Sequence, residues 1–283
     1  MKGLKKLTIP KLKIPTIQKV KGSRKKEYLE NDILQKDNQI IAVWGSPGSG
    51  KSTLAVKIAR ELAMKKKNIM IICDDIFCPT IPIILPTLKN EIDRSLGKIF
   101  SSPVIDQNII MENSITIKHN DYIAMLGYQK GENVVTYPEY VRERIIDFLI
   151  LLRHLVDYII VDCSSIITES VLTATALEFA DKIIRLSTAD FKGLSYFKST
   201  LPLLMDSRFK VEEHLRIVSN VKDFQAGDAV NDVLRGSKIL LPHTFEIEKQ
   251  YTEGRLFESL IDKNSQGYKE ELGKIMKEVF YYG

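Results

Sequence analysis

Cysteine is scarce in this chain of 283 residues: Cys73, Cys78 and Cys163 are the only three. They stand at no zinc-binding spacing and are too few for a disulfide framework. Cys73 and Cys163 close apolar runs, which predicts buried, reduced thiols and a cytoplasmic chain. Long apolar stretches are also missing. The strongest, FLILL at 148–152, is cut by Arg153 and falls far short of the roughly 20 residues that span a bilayer. The N-terminal residues have no unbroken apolar segment, so no signal peptide is expected. No internal repeat is present. Acidic residues are absent from 1–26, which hold ten Lys/Arg, so the net charge of +5 belongs to this stretch and the remainder is net negative. Pro10 and Pro15 oppose a helix there. An extended basic arm over 1–37 and a single domain over 38–283 are the expected organisation. Such an arm suits an acidic protein partner and an anionic membrane surface equally, the latter placing the chain at the membrane periphery. Non-specific DNA binding suits it less, since no base-reading motif accompanies the charge.

From residue 38 onward, short β-branched runs alternate with helical stretches. Strands are predicted at 40–44 (IIAVW), 68–73 (NIMIIC), 115–117, 122–126, 158–161 (YIIV), 182–186, 215–219 and 239–241. Helices are predicted at 52–65, 137–156, 173–180 and 268–281, with two short pieces near SLGKIF and PVIDQNIIM. The alternation predicts an α/β fold: a mostly parallel twisted sheet of about seven strands with helices on both faces.

Between the first strand and the first helix lies GSPGSGKS, residues 45–52. It matches G-x-x-x-x-G-K-[ST], the phosphate-binding P-loop, and it sits in the strand–loop–helix context that the motif requires. Gly45, Gly48 and Gly50 let the backbone curl so that amides, those of Ser46 and Ser49 included, face phosphate oxygens. The helix adds its free N-terminal donors. Lys51 is placed to neutralise β/γ phosphates, Ser52 to ligate Mg2+ and Thr53 to meet the α-phosphate. The second strand ends in Asp74-Asp75, where a carboxylate lies in the ligand crevice and can orient an attacking water. DYIIVD, residues 157–162, ends an apolar strand in Asp162, the Walker B pattern that holds Mg2+. Taken singly, Asp74 or Asp75 could equally be a helix cap or loop acid, and Asp162 a plain strand-end acid.

The order of these motifs resembles the MinD/ParA-type ATPases over nearly all of residues 38–260. IMIICDDI resembles that family's second acidic motif and implies Asp75 as the hydrolytic aspartate, acting with Lys51. DYIIVDCSS resembles its Walker B and switch II segment, and ALEFADKIIRL its later helix and strand. Asn220 in LRIVSN matches an adenine-contacting Asn, and LPHTFEIEKQYTEGRLF resembles the adenine-side loop that starts at Pro242. The resemblance implies ATP and Mg2+ as cofactors, a nucleotide-dependent homodimer, and a protein partner within a partitioning, pilus, secretion or conjugation system. One position departs. Most members carry Lys-Gly where this chain has Ser46-Pro47, and that lysine reaches across the dimer to the partner's phosphates. CpaE/TadZ-like members vary there too. A missing amine of this kind removes on the order of 10²–10³ in rate.

Three functions compete on the sequence alone: an ATP-dependent switch with slow hydrolysis, a nucleotide-binding scaffold without turnover, and a metabolic P-loop kinase. The kinase would need a second polar constellation, and Asp93, Arg94, Asp106 and His119 form no coherent one. Asn220-Val221-Lys222-Asp223 displaces the Lys of the N-K-x-D guanine motif by one position, so ATP is favoured over GTP. The switch is the expected function.

Overall fold

The computed structural model describes residues 38–86, 93–118, 120–237 and 239–280. The basic arm expected over 1–37, with its charged stretch 1–26, lies outside them, as do His119 and Tyr281. Among the described residues eight strands are formed: β1 (Gln39–Gly45), β2 (Ile69–Cys73), β3 (Ile115–Ile117), β4 (Asn120–Gly127), β5 (Tyr158–Asp162), β6 (Lys182–Thr188), β7 (Leu215–Val221) and β8 (Leu240–Pro242). They make one sheet in the order β3-β4-β2-β5-β1-β6-β7-β8. Seven run parallel, and β3 pairs antiparallel with β4 at one edge.

The central strands are apolar throughout because both faces are covered. Along β1, Ile41 and Val43 join one core with Leu54, Ile58 and Leu62 of α1 (Lys51–Met64). Ile40, Ala42 and Trp44 join the opposite core. That second face is covered by α3 (Leu96–Ser101), α4 (Gln107–Asn113), α5 (Arg142–Arg153), α6 (Val171–Phe179) and α7 (Phe191–Thr200), through Phe100, Ile110, Phe148, Leu172 and Phe197. The first face also receives the short α2 (Ile81–Ile84) and α10 (Gln266–Phe280). The α10 stripe of Tyr268, Leu272, Ile275, Met276 and Val279 is buried as its spacing predicts. The remaining helices are α8 (Gly227–Val233) and α9 (Phe245–Thr252).

Boundaries differ from expectation in one informative place. The helix expected from residue 137 starts at Arg142. Pro138 disfavours helical backbone at Tyr137, and the tyrosines there are engaged elsewhere. Tyr137 donates to Glu132 at 2.5 Å, and the Tyr128 and Tyr140 hydroxyls meet at 2.8 Å. Ser95, which caps α3, donates to Glu132 at 2.7 Å and so ties this loop to the body. The helix α7 was not expected; its signal is Asp190, whose carboxylate accepts from the Gly193 amide as an N-cap.

Candidate nucleotide site

Parallel pairing brings three strand ends together. Val43 of β1 and Cys73 of β2 both register with Asp162 of β5, and Gly45 registers with Leu186 of β6. The segments that follow β1, β2 and β5 therefore emerge side by side at the carboxyl edge, where ligands bind in open parallel sheets. A cavity of about 570 Å3 opens there, lined by Gly48, Gly50, Lys51, Ser52, Thr53, Asp75, Asn220 and Pro242 among others.

The loop has the shape its glycines predict. A Cβ on Gly45 would lie 1.9 Å from the Leu186 carbonyl oxygen, so β1 and β6 close only around glycine here. Gly50 adopts φ 81, a left-handed turn that delivers the chain into α1. Lys51 Nζ donates to Ser165 Oγ at 2.6 Å, and Ser165 Oγ donates in turn to the Gly45 carbonyl at 2.9 Å. The cation is thus held against the loop by the segment that follows β5.

Asp162 is buried, and the Ser52 hydroxyl beside it favours the charged carboxylate. Burial pushes its carboxyl up to about 6, against the opposing pull of Lys51. The Lys51 amine is pushed down by the same burial, against the attraction of Asp162 and Asp75. Each charge is short of solvation despite the other. A phosphate beside Lys51 and a hard cation beside Asp162 would relieve both. The oxygen pair of Ser52 and Asp162 is the partial donor set that Mg2+ takes when phosphate oxygens and water complete its shell.

The two neighbouring acids separate. Asp75 lines the cavity, and its Oδ1 accepts from the amides of Phe77 (3.1 Å) and Cys78 (2.8 Å). Asp74 is buried away from the cavity and accepts from the hydroxyls of Ser170 and Thr173, the latter at 2.6 Å. Thr173 Oγ1 also accepts from the Ser164 amide at 2.8 Å. Asp74 therefore anchors the loop that carries Ser165.

Three residues expected at the phosphates lie outside the lining. Gly45 packs on β6, and Ser49 is fully buried with its hydroxyl on the Ser46 carbonyl at 2.7 Å. Ser46 is buried too, its Oγ accepting from the Thr188 amide at 3.1 Å. Three of the polar residues that a second site would need serve local structure: Arg94 donates to the Ser114 carbonyl, Asp106 caps α4, and Asp93 pairs with Lys98. Sequence reasoning missed Ser164, Ser165, His243, Glu248 and Tyr251, all of which line the cavity. Ser164 and Ser165 had a signal, as small polar residues directly behind the Walker B strand.

No family model matches the chain. A segment of 153 residues is 29% identical to the iron-sulfur cluster carrier protein of Rickettsia typhi, covering 53% of this chain and 45% of that protein. The chain thus spans about half the length of the relatives it matches. Among solved structures, the ParA family ATPase of Chlorobium tepidum superposes with a TM-score of 0.66 at 16% identity, over 83% of this chain and 96% of that one. The septum site-determining protein MinD of Pyrococcus horikoshii, complexed with Mg-ADP, superposes with a TM-score of 0.62 at 16% identity, over 86% and 96%. The chain has the MinD/ParA fold of the P-loop ATPases. Position 46 faces β6 rather than the cavity. Of the three cysteines, Cys73 and Cys163 are buried and Cys78 is exposed, and among the described residues no group of three or more His, Cys, Asp or Glu is placed to hold a metal ion. No helix among the described residues is long and apolar enough to cross a membrane.

Proposed function

We propose that the chain binds ATP with Mg2+ and hydrolyses it slowly, as a nucleotide-dependent switch that positions or assembles a partner. The observation that carries this reading is the convergence of Lys51, Ser52, Thr53 and Asp75 on one cavity, with the buried Asp162 beside Ser52 and Lys51. In this reading Lys51 and the loop amides neutralise the phosphates, and Asp75 orients the attacking water. Mg2+, held by Ser52 and Asp162, would neutralise developing phosphate charge. Gly48, Gly50 and Thr53 contact the phosphates, while Asn220 and Pro242 wall the base.

Exposed apolar side chains follow five strands at this same edge: Phe77 after β2, Ile166 after β5, Phe191 after β6, Phe224 after β7 and Phe245 after β8. Such a row around the cavity mouth supports a homodimer closed over nucleotide. The basic stretch 1–26 would then dock an acidic partner or an anionic membrane surface at the edge of the cytoplasm, with non-specific DNA as the lesser alternative. A second reading, a binding scaffold without turnover, is favoured by one feature: Ser46 is buried against Thr188 and offers no cation to a partner's phosphates.

Calorimetry with Mg-ATP on the wild type and on Lys51→Ala, together with light scattering in ATP and ADP, tests the proposal. Binding lost in Lys51→Ala and a dimer formed only with ATP are expected. A folded wild type without affinity for ATP refutes it, and binding without phosphate release selects the scaffold.

A further inference from the structure

The base side of the cavity contains an arrangement that the phosphate site does not explain. Pairing between β7 and β8 shifts register between Ser219 and Val221, so Asn220 is left out of the ladder. It stands at φ 58, a left-handed conformation that Asn tolerates better than other side chains. A bulge of this kind re-aims a side chain, and here Asn220 lines the cavity. Beside it, the His243 amide donates to the Val221 carbonyl at 2.8 Å, which fixes the backbone that carries the ring. Nδ1 of His243 lies 2.9 Å from Asn220 Oδ1. Nε2 lies 3.4 Å from a Glu248 carboxylate oxygen, and the ring meets Phe245 edge-on at 5.3 Å.

Glu248 can only accept, so both contacts are satisfied when both ring nitrogens carry a proton: Nδ1 donates to the Asn220 carbonyl oxygen and Nε2 to the Glu248 carboxylate. The amide can then turn over only by setting its own N–H against that N–H. So oriented, Asn220 keeps one carbonyl lone pair and its amide donors for a ligand. Those are the groups that pair with the N6 amine and N7 of adenine. Guanine places the O6 acceptor where adenine places its amine, and O6 would confront Oδ1. We infer that His243, braced by Glu248, is a specificity-determining residue that locks the Asn220 amide in the orientation that accepts adenine and rejects guanine. This inference rests on the proposed nucleotide site.

The test is calorimetry on the full chain with Mg2+ and three probes: ATP, GTP and inorganic triphosphate. His243→Phe keeps a ring against Phe245 but removes the donor. Glu248→Gln changes an exposed side chain, so it decides the matter should His243→Phe not fold. The ratio of ATP to GTP affinity is expected to fall about tenfold in His243→Phe and about threefold in Glu248→Gln. Triphosphate affinity is expected to stay at the wild-type value in both, which a general loosening of the site would not allow. An unchanged ratio in His243→Phe, or a wild type that binds ATP and GTP alike, overturns the inference and leaves the phosphate site standing. A wild type that binds none of the three probes removes both.

Discussion

Lys57 allows a sharp test of how the phosphate-loop helix is held. It sits in the middle of α1 at 2% exposure. Its Nζ donates to Gln250 Oε1 at 2.6 Å and to the carbonyls of Leu256 and Glu258 at 2.7 and 3.0 Å. All three acceptors are neutral. Burial, and then the charge of Arg60, pull its amine from 10.5 down to about 8. That gap corresponds to about 3 kcal/mol of penalty on the charged form. Below about pH 8 the amine is protonated in both folded and unfolded chains, and the penalty is fully present. Between pH 8 and 10.5 the unfolded chain keeps a proton that the folded chain has released, so this group's contribution to stability rises with pH. Replacing Lys57 by Met removes the penalty but leaves three buried acceptors unpaired, at about 1–3 kcal/mol each. The net result at pH 7 is a loss of roughly 0–6 kcal/mol. The stability gap between wild type and Lys57→Met should then widen by about 2–3 kcal/mol from pH 7.5 to pH 10. Urea unfolding followed by circular dichroism measures it, and the other titrating groups cancel in the difference. A gap that stays flat or narrows refutes the reasoning.

The two neighbouring acids should part company. Asp74→Ala leaves the Ser170 and Thr173 hydroxyls without their acceptor and is expected to cost about 2–4 kcal/mol in urea unfolding. Asp75→Ala should keep nucleotide affinity within about threefold while phosphate release falls by at least about 10²-fold; equal losses of stability in the two variants would undo the assignment. Gly45→Ala forces β1 from β6, since the added carbon meets the Leu186 carbonyl, and is expected to destabilise by about 2–4 kcal/mol and abolish ATP binding. An Ala variant with wild-type melting would show that the loop closes differently. Ser46→Lys should not raise turnover, because the position faces the Thr188 amide; a rate gain above about tenfold in phosphate release would show that the loop can turn this side chain outward.

How far the sequence could be read follows from what each feature depends on. The parallel sheet was legible because apolar runs and helical spacing are local, and the P-loop because its glycines and Lys51 are contiguous. The start of α5 was not, because the tyrosines of 128–141 use their hydroxyls on partners within that same segment, at spacings that no regular element would mark. His243 was passed over because its meaning comes from Asn220, which lies 23 residues away in sequence.

The ambiguity between Asp74 and Asp75 has a cause more general than either residue. Successive side chains on a strand point to opposite faces, so two adjacent acids at a strand end must diverge, and one of them must leave the cavity. Cys73 packs with α1 on the phosphate-loop face. Asp75, two residues on, emerges on that same side, while Asp74 turns to the face of α5 and α6 and finds Ser170 and Thr173. A strand with one polar face would have declared this parity through alternation. β2 reads IMIIC and is buried on both faces, so nothing within it marks which face α1 will cover. The same double burial that makes such strands easy to find removes the pattern that would orient them, and only the three-dimensional packing of α1 restores it.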